Sequence, residues 1–220
     1  GAAGFALGEM YERGMGVAKD LEAAQHWYEA GAKLHDPLSE FRAGSLMTKD
    51  QQDLRGLKKA AHLLRASETA GYVPAMHAIG VLLAKHPELA QSPAESTLLL
   101  EKAAEAGRWQ SSMVLGILAR DGMGMPVDTE TAYYHFRVAA LQGGESAARL
   151  LATDLHALSQ KLGPTRAGAK DAEASAWYQK HQIALQFLYP KAGQISGFPA
   201  YALTMPDENT HTGRLLPAPM

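Results

Sequence analysis

Nine histidines and 23 carboxylates are the side chains here with the means to hold a metal or move a proton. Neither chemistry finds its pattern. A helical zinc site needs two imidazoles one turn apart, as in His-x-x-x-His or His-Glu-x-x-His, and no such pair occurs. His26 and His62 share one position of a 36-residue repeat, but Leu98 and Tyr134 occupy it next. Cysteine is absent, so disulfides, thiol catalysis and cysteine metal sites are excluded. No serine stands in the Gly-x-Ser-x-Gly turn that exposes a nucleophilic hydroxyl. The carboxylates are scattered, with Asp207-Glu208 the one acidic pair outside the expected helices. The chain is therefore read as a non-enzyme, with no catalytic residue, no metal ligand and no cofactor assigned.

The totals narrow the class of partner. Twenty-one basic residues nearly balance the acids, so no field of one sign argues for nucleic acid or an anionic membrane. Hydrophobic residues make up 46% of 220, enough for a substantial core. Ala, Leu and Met dominate and β-branched residues are sparse, which favours helices. No run of about 18 apolar residues exists to span a membrane. The first residues, "GAAGFALGEM", lack the basic start of a signal peptide and read as the middle of a helix. We expect native sequence upstream of them.

What must position any functional side chain is a repeat. Leu7-Gly8 recurs at steps of 36 as Ala43-Gly44, Ile79-Gly80 and Leu115-Gly116. Further along each unit lie Ala24, Ala60, Ser96 and Ala132, then Tyr28, Leu64, Leu100 and Phe136. Small residues follow at Gly31, Ser67, Ala103 and Ala139, and the unit closes at His35, Gly71, Gly107 and Gly143. Rows of constant chemistry at one period are the signature of stacked units. A glycine on the first helix of a hairpin lets the second approach closely, and the large residue fills the space between them. Gly14-Met15-Gly16 and Gly122-Met123-Gly124 supply the positive φ of a tight connection. Asp20 and Asp128 then cap the second helix. A phosphate-binding loop would need a preceding strand and a longer glycine fingerprint.

These residues resemble the Sel1-like repeat family, relatives of the tetratricopeptide repeats. The first unit carries the resemblance in Leu7-Gly8, Tyr11, Gly14, Gly16-Val17, Asp20, Ala24, Trp27-Tyr28 and Ala32. The fourth carries it in Leu115-Gly116, Gly122, Gly124, Asp128, Ala132, Phe136 and Ala139-Ala140. The second and third loops, "TKDQQDLRG" and "AKHPELAQSP", lack the glycine pair, so those units read as degenerate but in register. The resemblance implies an all-α, right-handed α/α solenoid over 1–189, with units at about 1–36, 37–72, 73–108 and 109–144 and a partial fifth at 145–189. In the fifth, Leu151 and Leu155 should face inward and Gly163-Pro164 should end the first helix. The spacing then slips by about six residues, which predicts a longer loop. Residues 190–220 hold five prolines and are expected to form an extended C-terminal tail packed on the solenoid.

A solenoid of hairpins presents its first helices as a curved face. Helical phase points Phe41, His77, Val81, Met113 and Ile117 toward that face, flanked by Arg120 and Arg149. Such an apolar patch marks a contact surface. Three readings compete: a protein or peptide partner binds there, the chain's own tail covers it, or these residues are core. The resemblance implies a bacterial interaction scaffold or adaptor, periplasmic or secreted, with the cytoplasm as the other setting. The alternative function is an immunity-type inhibitor that plugs an enzyme's site. An enzyme on a helical scaffold comes third, and would need His77 and His156 gathered with a carboxylate. The N-terminal repeat end, near Phe5 and Leu7, is expected to expose apolar surface through which two copies could form a homodimer.

Overall fold

The computed structural model describes residues 1–50 and 53–188. The expected tail over 190–220 lies outside the described residues. The regular structure of the described residues is all helical, without strands. Hairpins pair α1 (Ala2–Arg13) with α2 (Leu21–Ala32), α3 (Pro37–Asp50) with α4 (Leu54–Thr69), and α5 (Val73–Lys85) with α6 (Glu95–Glu105). A fourth pairs α7 (Trp109–Asp121) with the start of α8 (Thr129–Leu188). The span α8 breaks its helical angles at Gly144 (φ 64°) and Gly163 (φ 76°). It is therefore three segments, 129–143, 145–162 and 164–188, of which the last two form the fifth hairpin.

The glycine row sets the hairpin spacing. A Cβ built on Gly44 would fall 2.8 Å from Leu64 Cγ, and one on Gly80 would fall 2.8 Å from Leu100 Cγ. On Gly116 it would lie 2.5 Å from the Phe136 ring, and on Gly8 closer still to the Tyr28 ring. Real side chains do not approach so closely, so only glycine fits. The four large residues facing this row, Tyr28, Leu64, Leu100 and Phe136, are all 0% exposed. Each contributes about 1.5–3 kcal/mol by burial. Ala24, Ala60 and Ala132 are buried beside them, and Ser96 uses its hydroxyl to donate to the Gly80 carbonyl at 2.8 Å.

The two glycine-pair loops are superimposable in their bonding. Gly14 and Gly122 end their helices in the left-handed region, and Gly16 and Gly124 repeat it two residues on. Asp20 N–H donates to Tyr11 O at 3.0 Å, and Asp128 N–H to Ala119 O at 2.8 Å. Asp20 Oδ1 accepts from Glu22 and Ala23 N–H, and Asp128 Oδ1 from Glu130 and Thr131 N–H, as capping predicts. The degenerate units reach the same hairpin differently. Asp53 caps α4 through Gly56 N–H, and the third loop folds as a 3-10 turn, Pro87–Leu89, with Leu89 buried.

Two expectations need correction. The fourth unit turns at Gly144, one residue later than expected, because Gly143 is helical and packs against Trp109. The fifth unit has no long loop: Gly163 alone makes the turn, and Pro164 begins the next helix, where its fixed φ and missing N–H cost nothing. The six-residue slip lengthens the helix instead. Leu151 is buried and Leu155 half-buried, as expected.

The first helices also touch one another in succession, α1 with α3, α3 with α5 and α5 with α7, more than the second helices do. The stack therefore curves toward its first helices. Tyr28 cannot swing aside from Gly8, because its hydroxyl donates to Glu12 Oε2 at 2.6 Å. We predict that Gly8→Ala costs about 1–3 kcal/mol, the range for overpacking. Gly168→Ala, in an open helical position, should gain up to about 1 kcal/mol. Urea melts of the two variants check the contrast.

Candidate functional site

The residues expected on the inner face are half-buried, except Arg149, which is exposed. Phe41 on α3 packs on the core that α4 and α5 share, with its ring edge-on to Tyr72 at 5.1 Å. Val81 on α5 leans on the core around Leu100 and Leu115, and Met113 and Ile117 on α7 lean on that around Phe136. These four side chains thus divide themselves between core and surface. They follow one another across three adjacent helices.

The two arginines are occupied. Arg120 donates through Nε and Nη2 to Asp121, at 2.7 and 2.9 Å, and through Nη1 to Asp154 at 2.7 Å. This ties α7 to the 145–162 segment. Arg149 pairs with Glu145 one turn earlier. At the opposite end stands a group that sequence patterning did not single out. Glu9, which is buried, bonds Arg13 at 3.0 Å, and Arg42 lies 3.9 Å from Glu12 and 4.0 Å from Glu9. The signal was a pair of acids on one face of α1 opposite a basic residue one unit on. An apolar strip with an ion-paired group at each end is the result.

His77 is tied to a buried neighbour. Its Nδ1 is 2.9 Å from Ser111 Oγ, and Ser111 is 0% exposed. Burial, with the Arg108 guanidinium as a second cause, holds its pKa near 3. His156 is exposed on the 145–162 segment, two units further along the stack. His26 and His62 are exposed on second helices. Among the described residues no three His, Asp or Glu side chains gather as metal ligands, and no helix is long and apolar enough to cross a membrane.

Five helical hairpins with an inner apolar strip define an α/α repeat protein. The Sel1 repeat model matches residues 2–36, 73–107 and 112–144, so the chain carries Sel1 repeats in these three segments. The match passes over the second unit and includes the third, despite its lack of loop glycines. The fold is similar to that of a protective antigen of uropathogenic Escherichia coli, described as displaying an SLR fold (TM-score 0.68, 21% identity). The alignment covers 90% of this chain and 43% of the antigen, so the chain spans less than half of that relative's length. A Sel1 repeat protein from Oxalobacter formigenes aligns over 85% of this chain and 76% of its own, with TM-score 0.56 and 20% identity. An immunity protein from Pseudomonas aeruginosa aligns over 87% of this chain and 74% of its own at TM-score 0.44 and 20% identity, too low for an argument from shape.

The two desolvated histidines make a prediction about pH. An unfolded histidine takes its proton near 6.5, whereas His77 takes its near 3 and His135, desolvated on α8, near 4. Between those values the unfolded chain binds more protons, so their contribution to stability falls as pH drops from 6.5 toward 4. Thermal melts should show this fall, and His77→Gln should make it shallower. An identical slope in the variant would contradict the assignment.

Proposed function

We propose that this protein is an interaction scaffold that binds a protein or peptide partner on the face of its first helices. The observation that carries the reading is the strip formed by Phe41, Val81, Met113 and Ile117, half-buried on three helices that stand side by side. Sel1 repeat proteins generally mediate protein–protein interaction. Half-exposed apolar side chains in one row favour desolvation by a partner, and methionine adapts to irregular shapes. His77, neutral at physiological pH, adds a hydrogen-bonding edge beside the strip. Arg120 and Arg149, with their carboxylate partners, form its polar rim, as charged residues do around an interface core. The bacterial sources of the similar structures support a bacterial protein; its setting in this reading is the periplasm or beyond, with the cytoplasm as the other. A second copy at the Phe5–Leu7 end is a further partner of this reading. There Phe5 is already half-covered by Tyr28, with ring centroids 6.0 Å apart.

The test must spare the core, since Phe41 and Met113 contribute to it. Ser45, half-exposed on α3, has no side-chain bond to lose among the described residues. Peptides selected on the native chain by display should lose about tenfold or more in affinity for Ser45→Arg, about 1.4 kcal/mol or more. The variant's circular dichroism should be unchanged. Selected peptides that bind the variant equally well would place recognition away from this face.

A further inference from the structure

The outer side of the stack carries a second periodic feature. Glu29, Arg65, Glu101 and Arg137 occupy one position of the 36-residue repeat, each on a second helix. Three of the four reach across to the next second helix and neutralise a charge there. Glu29 meets Lys59 at 2.9 Å, Arg65 meets Glu95 at 2.8 Å, and Arg137 meets Asp171 at 2.6 Å. Lys59 and Glu95 themselves sit at one repeat position. The next occupant of that position is Thr131, which turns its hydroxyl to Asp128 at 2.6 Å and offers Glu101 no charge. Glu101 has no cation partner among the described residues. Glu101 and Glu105 are both exposed, and partial desolvation together with the like charge of Glu105, one turn on, raises the pKa of Glu101.

A cavity of about 330 Å³ opens at this one uncompensated junction. Glu101 and Glu105 of α6 line one wall, and Tyr134 and His135 of the 129–143 segment stand in the middle. Lys170, Glu173 and Trp177 of the 164–188 segment close the far side. Lys170 is engaged, donating to Glu173 at 2.8 Å. The lining therefore sets three carboxylates against one ammonium, with the indole of Trp177 and the phenol of Tyr134 beside them.

We propose that this cavity binds an organic cation, an ammonium or a guanidinium group, which supplies the charge that Lys59 supplies to Glu29 in the first junction. The head group pairs with Glu101 and Glu105, and its apolar flank lies against the Trp177 and Tyr134 side chains that line the cavity. A free small-molecule cation and a lysine or arginine side chain of a partner share this chemistry. The site is on the opposite side of the stack from the first-helix face and does not depend on it.

Calorimetric titration of the full chain at low salt tests this with four probes. N-acetyl-lysine methylamide, N-acetyl-arginine methylamide and choline carry the charge, and N-acetyl-norleucine methylamide is the neutral control. We expect saturable binding of a cationic probe and none of the control. Glu101→Gln should weaken it about tenfold, as expected for loss of one partner of a charged pair. Thr131→Lys, which restores the cation of the repeat, should abolish it. Both variants should keep the native circular dichroism. Binding of choline assigns the site to a free cation, and binding of the capped amino acids alone assigns it to a partner's side chain. Equal binding of the neutral control, no binding of any cation, or unchanged binding in either folded variant overturns the proposal.

Discussion

The contact that governs this molecule is between a backbone and a ring: Gly8 under Tyr28, repeated as Gly116 under Phe136 and, with leucine in place of the ring, at Gly44 and Gly80. Helix packing distance is set by the side chains at the crossing. Removing the side chain from one helix lets a large one from the other lie flat against its backbone. That choice forces much else. The neighbouring positions must be small, hence Ala24, Ala60 and Ala132 at 0% exposure. The space between hairpins must be narrow too, hence Ser39, Ala75, Ser111 and Ala147, another buried row at the same period. Polar groups that enter these narrow spaces must bring their partners, as Ser67 does with the Pro37 carbonyl at 2.7 Å and Ser112 with Gln142 at 2.7 Å.

With the packing fixed in this way, charge is free to differ between the two sides of the stack. On the outer side the second helices stand apart and are linked by long side chains from one unit to the next. On the inner side the first helices are close, and apolar side chains fill the shallow space between them. The ion pairs there gather at the ends, around Glu9 and Arg42 and around Arg120 and Asp154. One scaffold thus presents an apolar inner strip and a charged outer ladder.

Much of this was legible in the sequence because the period repeats the same physical problem. The glycine row, the buried large residues, the positive φ at Gly14, Gly16, Gly122 and Gly124, and the caps at Asp20 and Asp128 all follow from it. The chain's departures were less legible. A six-residue slip is equally consistent with a longer loop and a longer helix, and the choice fell to Gly163-Pro164, which turns the chain within one residue. The occupancy of Arg120 was hidden because its partner Asp154 lies one unit on, at no motif spacing. Whether Phe41 and Met113 belong to surface or core was left open by the sequence, because a position that faces away from its own hairpin can still lean on the next. The cavity at Glu101 is lined by three second helices and by Ser112 and Leu115 of α7, but its missing cation was visible: the row Lys59, Glu95, Thr131 loses its charge at the third step.

The most direct test of this account is a double-mutant cycle at Gly116 and Phe136, read by urea unfolding. If close backbone-to-ring approach sets the hairpin, a methyl group at Gly116 should cost about 1–3 kcal/mol against the native ring. In the Phe136→Ala background, where the ring is gone, that cost should largely vanish. The coupling between the two positions should then be about 1 kcal/mol or more, as for residues in direct contact. Additive effects, with Gly116→Ala equally costly in both backgrounds, would contradict the claim that this contact fixes the spacing of the stack.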